Sequence, residues 1–200
     1  MKDLKRLILE LLETFISSLV VILVLYMWVA LPEQVWGQSM EPTFYTGERV
    51  LVEKVTKHFS DYQRGDVVVL HPPSNDSVDY IKRIVALPGE KIKISNCKVF
   101  IFSDGKTYEL AEPYLPSDVC TGGGNMAKEG RFVQVEDNQY FVLGDNRANS
   151  ADSRYFGPVE KDRILGKAVL RFWPLNKMSF LGYISSLTSL FVYGNVRTVA

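Results

Sequence analysis

The sequence predicts a mostly β protein, an antiparallel β-sheet domain preceded by one membrane-spanning helix. Three observations support this prediction. Residues 14–32 contain no charge, residues 40–175 consist largely of short runs rich in Val, Ile, Phe and Tyr, and these runs end in Gly, Pro, Asn or Asp. Strand-forming residues bounded by turn residues are typical of antiparallel sheets. A chain of 200 residues is long enough to give such a domain its own hydrophobic core.

The apolar run TFISSLVVILVLYMWVALP, residues 14–32, is nineteen residues long. A helix needs about 20 apolar residues to cross the hydrocarbon of a bilayer, so this run suffices for one span. Lys2, Lys5 and Arg6 precede it, and the positive-inside tendency places that end of the span in the cytoplasm. A cleaved signal peptide would have a shorter apolar core, and soluble core helices rarely run this far without a charge. We therefore expect a retained anchor, with the rest of the chain outside the cytoplasm.

Seven runs after residue 44 are enriched in β-branched and aromatic residues and often alternate, as half-buried strands do. Asp104-Gly105 predicts a tight hairpin, because both central positions of a type I′ turn require a positive φ. Asp137-Asn138 is a weaker signal of the same kind. The runs are GERVLVEKV, GDVVVLHPP, VDYIKRIVALPG, EKIKISN, KVFIFSDGK, RFVQVEDNQYFVLGD and ILGKAVLRFWP.

Two segments in the second half of the chain interrupt this pattern. The segment 111–130, AEPYLPSDVCTGGGNMAKEG, predicts a surface loop because of its prolines and three successive glycines. Cys97 and Cys120 lie in or beside it; outside the cytoplasm they can form a disulfide, and two separate thiols are the alternative. Residues 178–196 carry no charge but five hydroxyls, which favours an amphipathic helix on the domain or the membrane over a second span. The resulting domains are the cytoplasmic N-terminus and start of the helix (1–13), the transmembrane anchor (14–34), the extracytoplasmic β-rich domain (35–175) and the C-terminal amphipathic tail (176–200).

The composition argues against several classes of protein. Lys and Arg total 23 and Asp and Glu total 23, whereas a nucleic-acid-binding protein normally shows a basic excess. Two cysteines and two histidines are too few for the usual zinc or histidine-rich metal centres. We therefore expect no nucleic-acid partner, no metal and no cofactor.

The stretch VWGQSMEPTF, residues 35–44, places Ser39 where the chain would leave the bilayer. A serine hydroxyl is a poor nucleophile unless a neighbouring group takes its proton. His58 follows a lysine in a polar stretch and is expected to be solvated. His71 precedes two prolines at the end of an apolar run. Neither histidine lies in a pattern typical of a Ser-His-Asp triad, so another base is needed if Ser39 reacts.

Lys82 lies in the middle of VDYIKRIVALPG, where alternation places it on one strand face with Tyr80 and Ile84. If that face is buried, desolvation disfavours the ammonium, lowers the lysine pKa, and yields a neutral amine able to accept a proton. The strand alone is equally consistent with a lysine that reaches water along its aliphatic stem. The neighbouring Arg83 stays charged in proteins and needs an acidic partner if it is buried.

A dense polar stretch, GDNRANSADSRYFGPVE at residues 144–160, directly follows the apolar YFVLG. One interpretation is a solvated loop whose charges compensate each other. The other is a scaffold in which carboxylates pair with arginines and a serine hydroxyl orients the base. The candidate groups are Asp145, Arg147, Ser150, Asp152, Ser153 and Arg154.

Taken in order, the anchor, GQSMEPTF, RGDVVVL, DYIKRIVALPGE and GDNRANSADSRYFGPV resemble the bacterial type I signal peptidases, membrane-anchored serine proteases that use a Ser-Lys dyad. The resemblance covers most of residues 14–174. It implies an antiparallel β domain, largely of two sheets, with an apolar surface near the catalytic groove that meets the membrane. It also implies that Ser39 is the nucleophile and Lys82 its general base. The supporting residues that it implies are Ser150, as a hydrogen-bond partner of Lys82, and Asp145, Asp152, Arg83 and Arg154, which hold the shape of the site.

The resemblance implies an activity as well: removal of signal peptides from exported pre-proteins after small residues, through an acyl-enzyme. It implies a single-pass protein of the plasma membrane, and we expect it to work as a monomer. Many members of the family have a serine two residues before the nucleophile, whose hydroxyl can help to bind the oxyanion; this chain has Gly37 there. The Ser39 N–H is therefore expected to carry more of that task. Candidate pocket-wall or membrane-facing residues, each of which equally suits the core, are Met40, Phe44, Tyr45, Ile81, Ile84 and Leu143.

Two alternatives stay open on the sequence. A membrane-tethered β domain that binds a partner would explain the anchor and the strands, but not the serine, the lysine and the polar stretch together. A specialised Ser-Lys peptidase would keep the dyad and change the substrate, as in self-cleaving repressors or conjugation peptidases. The repressors usually carry a DNA-binding domain where this chain has an apolar segment.

Overall fold

The computed structural model describes residues 2–73 and 75–181, and it begins with a long exposed helix, α1 (Lys2–Val24). The stretch Leu4–Val24 is 21 residues long and, by length and composition, apolar enough to cross a bilayer. A π-helical turn, Leu25–Val29, follows, and the chain then becomes extended as β1 (Ala30–Gln34). The last residues of the segment predicted as anchor therefore lie in a strand. Pro32 explains the change, since proline ends a helix and is tolerated in an edge strand such as β1.

The remainder is two antiparallel sheets, which confirms the predicted fold class. The further strands are β2 (Arg49–Glu53), β3 (Val67–Leu70), β4 (Tyr80–Ala86), β5 (Lys91–Ser95), β6 (Lys98–Ser103), β7 (Lys106–Glu109), β8 (Phe132–Gln134), β9 (Gln139–Leu143), β10 (Val159–Glu160), β11 (Ile164–Trp173) and β12 (Ser179–Phe180); the short helices are α2 (Val55–Phe59) and α3 (Ser153–Phe156). The larger sheet has the strand order β1-β2-β11-β3-β4-β9-β10, with β12 also paired to β11, and the smaller has the order β7-β6-β5-β8.

One of the two predicted hairpins is confirmed. Asp104 and Gly105 join β6 to β7 with φ values of 52° and 75°, as a type I′ turn requires. The hairpin at Asp137-Asn138 is wrong, because β8 pairs with β5 and β9 pairs with β4. The turn instead carries the chain from the smaller sheet to the larger one. The buried Val135 lies between the two sheets and fixes this crossing.

The burial of β4 decides the environment of the candidate base. The predicted alternation is confirmed at the start of the strand, where Tyr80 and Ile84 contact one core cluster and Ile81 another. A register shift after Ile84 then places Val85 and Ala86 together in the cluster between the two sheets. Every residue of β4 after Tyr80 is buried, so a lysine within it has little access to water.

The loop predicted at 111–130 contains no helix or strand. Cys97 and Cys120 form a disulfide with a Cα–Cα distance of 4.4 Å, so the chain takes the first of the two alternatives left open for the cysteines. Cys97 lies in the turn between β5 and β6, and the disulfide therefore fastens the loop to that turn. Most of the predicted C-terminal amphipathic helix, residues 178–196, lies outside the described residues, which end at 181. Its first residues contain the short strand β12 instead of a helix.

Candidate active site

Ser39 lies in the loop that joins β1 to β2. Two backbone hydrogen bonds shape the turn: Glu41 N donates to Gln38 O at 3.1 Å, and Phe44 N donates to Met40 O at 2.8 Å. Met40 and Phe44 are buried in the core, which anchors the turn on its inner side. Ser39 itself is only half-buried, so its hydroxyl is held in place and still open to a substrate.

The polar stretch after β9 holds the same turn from the other side. Asn146 N donates to Ser39 O at 3.0 Å, and Asn146 Nδ2 donates to Gln38 O at 3.1 Å. Asn149 Nδ2 donates to Gln38 Oε1 at 3.1 Å. The backbone of the candidate nucleophile is therefore fixed by residues more than a hundred positions away in sequence.

Lys82 lies within hydrogen-bond distance of Ser39. Its Nζ lies 2.8 Å from Ser39 Oγ and donates to Ile81 O at 2.9 Å. The residue is 3% exposed, which excludes the solvated lysine that the sequence left open. Burial lowers the pKa of Lys82 from 10.5 to about 8, although the charges of Asp152 and Asp145 oppose the shift. A neutral Lys82 accepts a hydrogen bond from the Ser39 hydroxyl across the same contact.

Arg83, the next residue on β4, pairs with Asp145. Arg83 Nε donates to Asp145 Oδ1 at 2.9 Å and Arg83 Nη2 donates to Asp145 Oδ2 at 2.6 Å. This bidentate ion pair has little access to water. Thr43 Oγ1 adds a third donor to the carboxylate at 2.5 Å. Since Thr43 belongs to the Ser39 loop, Asp145 connects that loop to the strand that carries Lys82.

Asp152 and Arg154 form the second buried pair. Arg154 Nε and Nη2 each donate to the Asp152 carboxylate at 2.8 Å. Gly144 N donates to Asp152 Oδ2 at 3.1 Å, so the pair fixes the start of the polar stretch. Ser153 Oγ accepts a hydrogen bond from Val142 N at 3.0 Å and fastens α3 to β9.

Ser150 lies beside Gly144, and its hydroxyl makes no hydrogen bond among the described residues. Its hydroxyl is buried, and Lys82 Nζ uses Ser39 Oγ and Ile81 O instead. The expected Ser150–Lys82 bond is therefore not formed in the structure. A Cβ atom added to Gly144 would lie 2.2 Å from Ser150 Oγ and 2.5 Å from Ser39 O. Only glycine at 144 lets these groups approach.

Gly37, two residues before Ser39, has a backbone conformation that favours glycine. Its φ of +86° lies in the left-handed region, so a serine there would be strained although space for a side chain exists. Within residues 2–73 and 75–181, the Ser39 N–H donates to no protein acceptor. It is a free donor beside the Ser39 hydroxyl.

The candidate pocket residues lie in the core. Tyr45, 43% exposed, is the exception among them. The membrane-facing alternative is wrong for the buried ones, because they have almost no exposed surface. They are Met40 (1% exposed), Phe44 (0%), Ile81 (9%), Ile84 (0%) and Leu143 (0%).

Several contacts of the site are not predicted by the sequence. Arg147 has a fully buried side chain that contacts Glu112 and Thr121 of the 111–130 loop, and Tyr114 of the same loop stacks on Arg83 with 4.0 Å between the guanidinium carbon and the ring centre. No local pattern marks these residues, since their partners lie 26 to 35 positions away for Arg147. None of the described hydrogen bonds joins Ser39 to His58 or His71.

The family profile and the proteins compared below are described as signal peptidases. A family profile described as "Signal peptidase, peptidase S26" matches residues 8–173. Signal peptidase I S of Bacillus subtilis is 37% identical, over 87% of this chain and 94% of that protein. Signal peptidase IB of Staphylococcus aureus is 36% identical (86% and 94%), and a probable signal peptidase I-2 of Synechocystis sp. is 35% identical (86% and 77%). A crystal structure of a signal peptidase I from Enterococcus faecalis aligns with a TM-score of 0.43 and 27% identity, over 54% of this chain and 97% of that one.

Proposed function

This chain belongs to the signal peptidase family, peptidase S26, and we propose that it removes N-terminal signal peptides from exported pre-proteins with a Ser39–Lys82 dyad. It is a serine endopeptidase of the signal peptidase I type, so a purely binding role is excluded. The observation that carries the proposed mechanism is the 2.8 Å contact between Ser39 Oγ and the buried Lys82 Nζ. A lysine without access to water, beside a half-exposed serine, has the geometry of a general base and its nucleophile.

In the first half of the reaction, Ser39 Oγ attacks the carbonyl carbon of the scissile bond while neutral Lys82 takes the hydroxyl proton. The negative charge that develops on the carbonyl oxygen is stabilised by the free Ser39 N–H. The ammonium formed on Lys82 is stabilised by the charges of Asp145 and Asp152. It then donates its proton to the departing amine, which leaves as the N-terminus of the mature protein and leaves the signal peptide esterified to Ser39.

In the second half, a water molecule gives one proton to the again neutral Lys82 and attacks the ester carbonyl. Lys82 returns that proton to Ser39 Oγ, and the signal peptide leaves with a new carboxyl terminus. Every proton therefore passes through Nζ, and the cycle needs no cofactor. The dyad and its described contacts lie within one chain, so we propose that the monomer is sufficient.

The exposed helix α1 supports the proposed membrane topology. At about 1.5 Å per residue, the 21 residues Leu4–Val24 extend about 31 Å, the thickness of the hydrocarbon core. The basic residues near its start favour a cytoplasmic N-terminus, with the β domain on the opposite side. Ser39 follows the end of the helical segment, Val29, by ten residues, so the site lies near the membrane surface where a signal peptide also ends.

Cleavage specificity tests this function directly. The full-length protein in detergent is expected to cut a precursor with alanine at positions −1 and −3, at one peptide bond, as read by N-terminal sequencing of the product. Leucine at −1 is expected to reduce kcat/KM by more than about 100-fold, because a pocket built for a methyl group excludes the larger side chain. Equal cleavage of both precursors, or cuts at unrelated bonds, would contradict the proposed specificity.

The pH dependence tests the base. Only neutral Lys82 accepts the serine proton, and its pKa is lowered to about 8. We expect kcat/KM to rise about tenfold per pH unit below that value and to level off above it. A profile that is flat between pH 6 and 9, measured on folded protein with an uncharged substrate segment, would contradict Lys82 as the general base.

A further inference from the structure

We propose that residues 111–127, the brace loop, position the catalytic dyad by holding the arginines around it. The inference deepens the proposed function and rests on it. The sequence predicts a surface loop here, and nothing in the dyad mechanism uses it. In the structure, however, it contacts Arg83, which is next to Lys82 on β4, and Arg147 and Arg154 of the polar stretch after β9.

Glu112 and Thr121 hold Arg147. Arg147 Nη1 donates to Glu112 Oε2 at 2.9 Å and also to Thr121 Oγ1, and Arg147 Nη2 donates to Glu112 Oε1. Arg147 Nε donates to Gly144 O at 3.1 Å. The buried Arg147 guanidinium therefore links the brace loop to the polar stretch that follows β9.

Arg147 is connected to the candidate nucleophile through the neighbouring residue in the sequence. The residue between Gly144–Asp145 and Arg147 is Asn146, whose N–H holds Ser39 O at 3.0 Å. Movement of Arg147 therefore moves the segment that fixes the backbone of Ser39. Catalysis is sensitive to such movement, since a displacement of about 1 Å can cost about 100-fold in rate.

Tyr114 holds the other half of the dyad. Its ring stacks on Arg83, the neighbour of Lys82, and its hydroxyl donates to Glu112 Oε1 at 2.7 Å. Burial raises the pKa of Tyr114 well above its usual value, so the phenol keeps the proton that it donates. One carboxylate, Glu112, thus connects the supports of both catalytic groups.

The brace loop is itself fixed at two places. The disulfide to Cys97 fastens Cys120, and Thr121 N donates to Cys97 O at 3.0 Å. Gly124 lies against Arg154, where an added Cβ would be 2.5 Å from Arg154 O, so only glycine permits the contact. A loop fastened in this way is suited to holding other groups in position.

The test is the variant Glu112→Gln in the full-length enzyme, assayed on the alanine-containing precursor. Glutamine keeps the shape of the side chain and leaves Arg147 buried without its charge partner. We expect kcat to fall about 30-fold or more, with KM changed less than about threefold, because the brace loop supports the dyad. Glu109→Gln is the matched control: Glu109 lies on β7, paired with the exposed Lys98, and its replacement should leave both constants unchanged.

A role limited to stability predicts a different result: a lower melting temperature, with kcat per folded molecule within twofold of the wild type. That result would overturn the inference. So would a fully additive loss of kcat when Glu112→Gln is combined with Arg147→Met, since both changes remove the same Glu112–Arg147 contact and their effects should therefore overlap. If Glu112→Gln does not fold, Thr121→Val decides, because it is isosteric and removes only one contact of Arg147. It should lower kcat about threefold to tenfold, and an unchanged kcat would overturn the inference.

The same assay separates this inference from the proposed function. If the wild type and Glu109→Gln do not cleave the precursor, the proposed function fails and the inference fails with it. If they cleave normally and Glu112→Gln also keeps its kcat, only the brace loop proposal fails.

Discussion

Replacement of Lys82 by alanine is expected to lower kcat/KM for precursor cleavage by at least about 1,000-fold while the protein stays folded. Without an acceptor within hydrogen-bond reach, the Ser39 proton cannot leave during the attack, and the departing amine cannot be protonated. Arg83 cannot substitute, because its guanidinium stays charged and is held by Asp145.

The fold is expected to survive because Lys82 makes only two described hydrogen bonds, to Ser39 Oγ and to Ile81 O. Lys82→Met is the sharper variant, since it fills a similar volume with an apolar chain in a site that is already dry. It should be at least as stable as Lys82→Ala and equally inactive. Stability is read from the thermal unfolding of the detergent-solubilised protein, and activity from the release of the mature product.

Two further variants make this result specific. Lys93→Ala removes a lysine whose ammonium lies over Phe100 and Phe132 on the smaller sheet, and it should cleave normally. Ser39→Ala should be as inactive as Lys82→Ala, and the double variant no worse than either, because groups that act as one unit are not additive. Activity of Lys82→Met within tenfold of the wild type would exclude the dyad.

The sequence predicts those features that depend on neighbouring residues or on the order of motifs along the chain. The strands were predicted from their composition, and the hairpin at Asp104-Gly105 from its turn residues. The approach of Ser39 to Lys82 could be predicted only because the order of motifs resembles a family. Residues 43 positions apart have no periodicity that would bring them together. The need of a buried Arg83 for an acidic partner followed from a physical rule, and the structure shows that this partner is Asp145.

What the sequence could not predict depends on how the two sheets meet. The turn at Asp137-Asn138 has hairpin residues, but turn chemistry does not specify which strand becomes the partner. The apolar residues near the motifs, such as Phe44 and Leu143, suit a pocket wall and a core equally, and the sequence does not show that both are fully buried. Glu112 contacts Arg147 because the disulfide and the strand order place the loop there. A proline-rich and glycine-rich composition predicts the loop and says nothing about its neighbours.

Asp145→Asn is expected to destabilise the protein by about 3–5 kcal/mol, because it leaves a buried arginine charge without its partner. The Asp145 side chain is 0% exposed and that of Arg83 is 9% exposed, so water cannot replace the carboxylate. Asparagine keeps the shape, but it removes the charge and presents only one oxygen to the three donors from Arg83 and Thr43. For a chain of this size, a loss of 3 kcal/mol corresponds to a melting temperature lower by about 6–12 °C.

Asp61→Asn is the matched control, because it removes the same group from an exposed pair. Asp61 lies 2.8 Å from Lys161 Nζ and is 84% exposed, so solvent screens that interaction and the melting temperature should hardly change. Adding Arg83→Met to Asp145→Asn removes the stranded cation and should restore part of the lost stability, without restoring cleavage. If Asp145→Asn and Asp61→Asn have the same melting temperature, the buried Arg83–Asp145 pair does not hold the Ser39 loop to β4. The shape of the site must then depend on the Asp152–Arg154 pair instead.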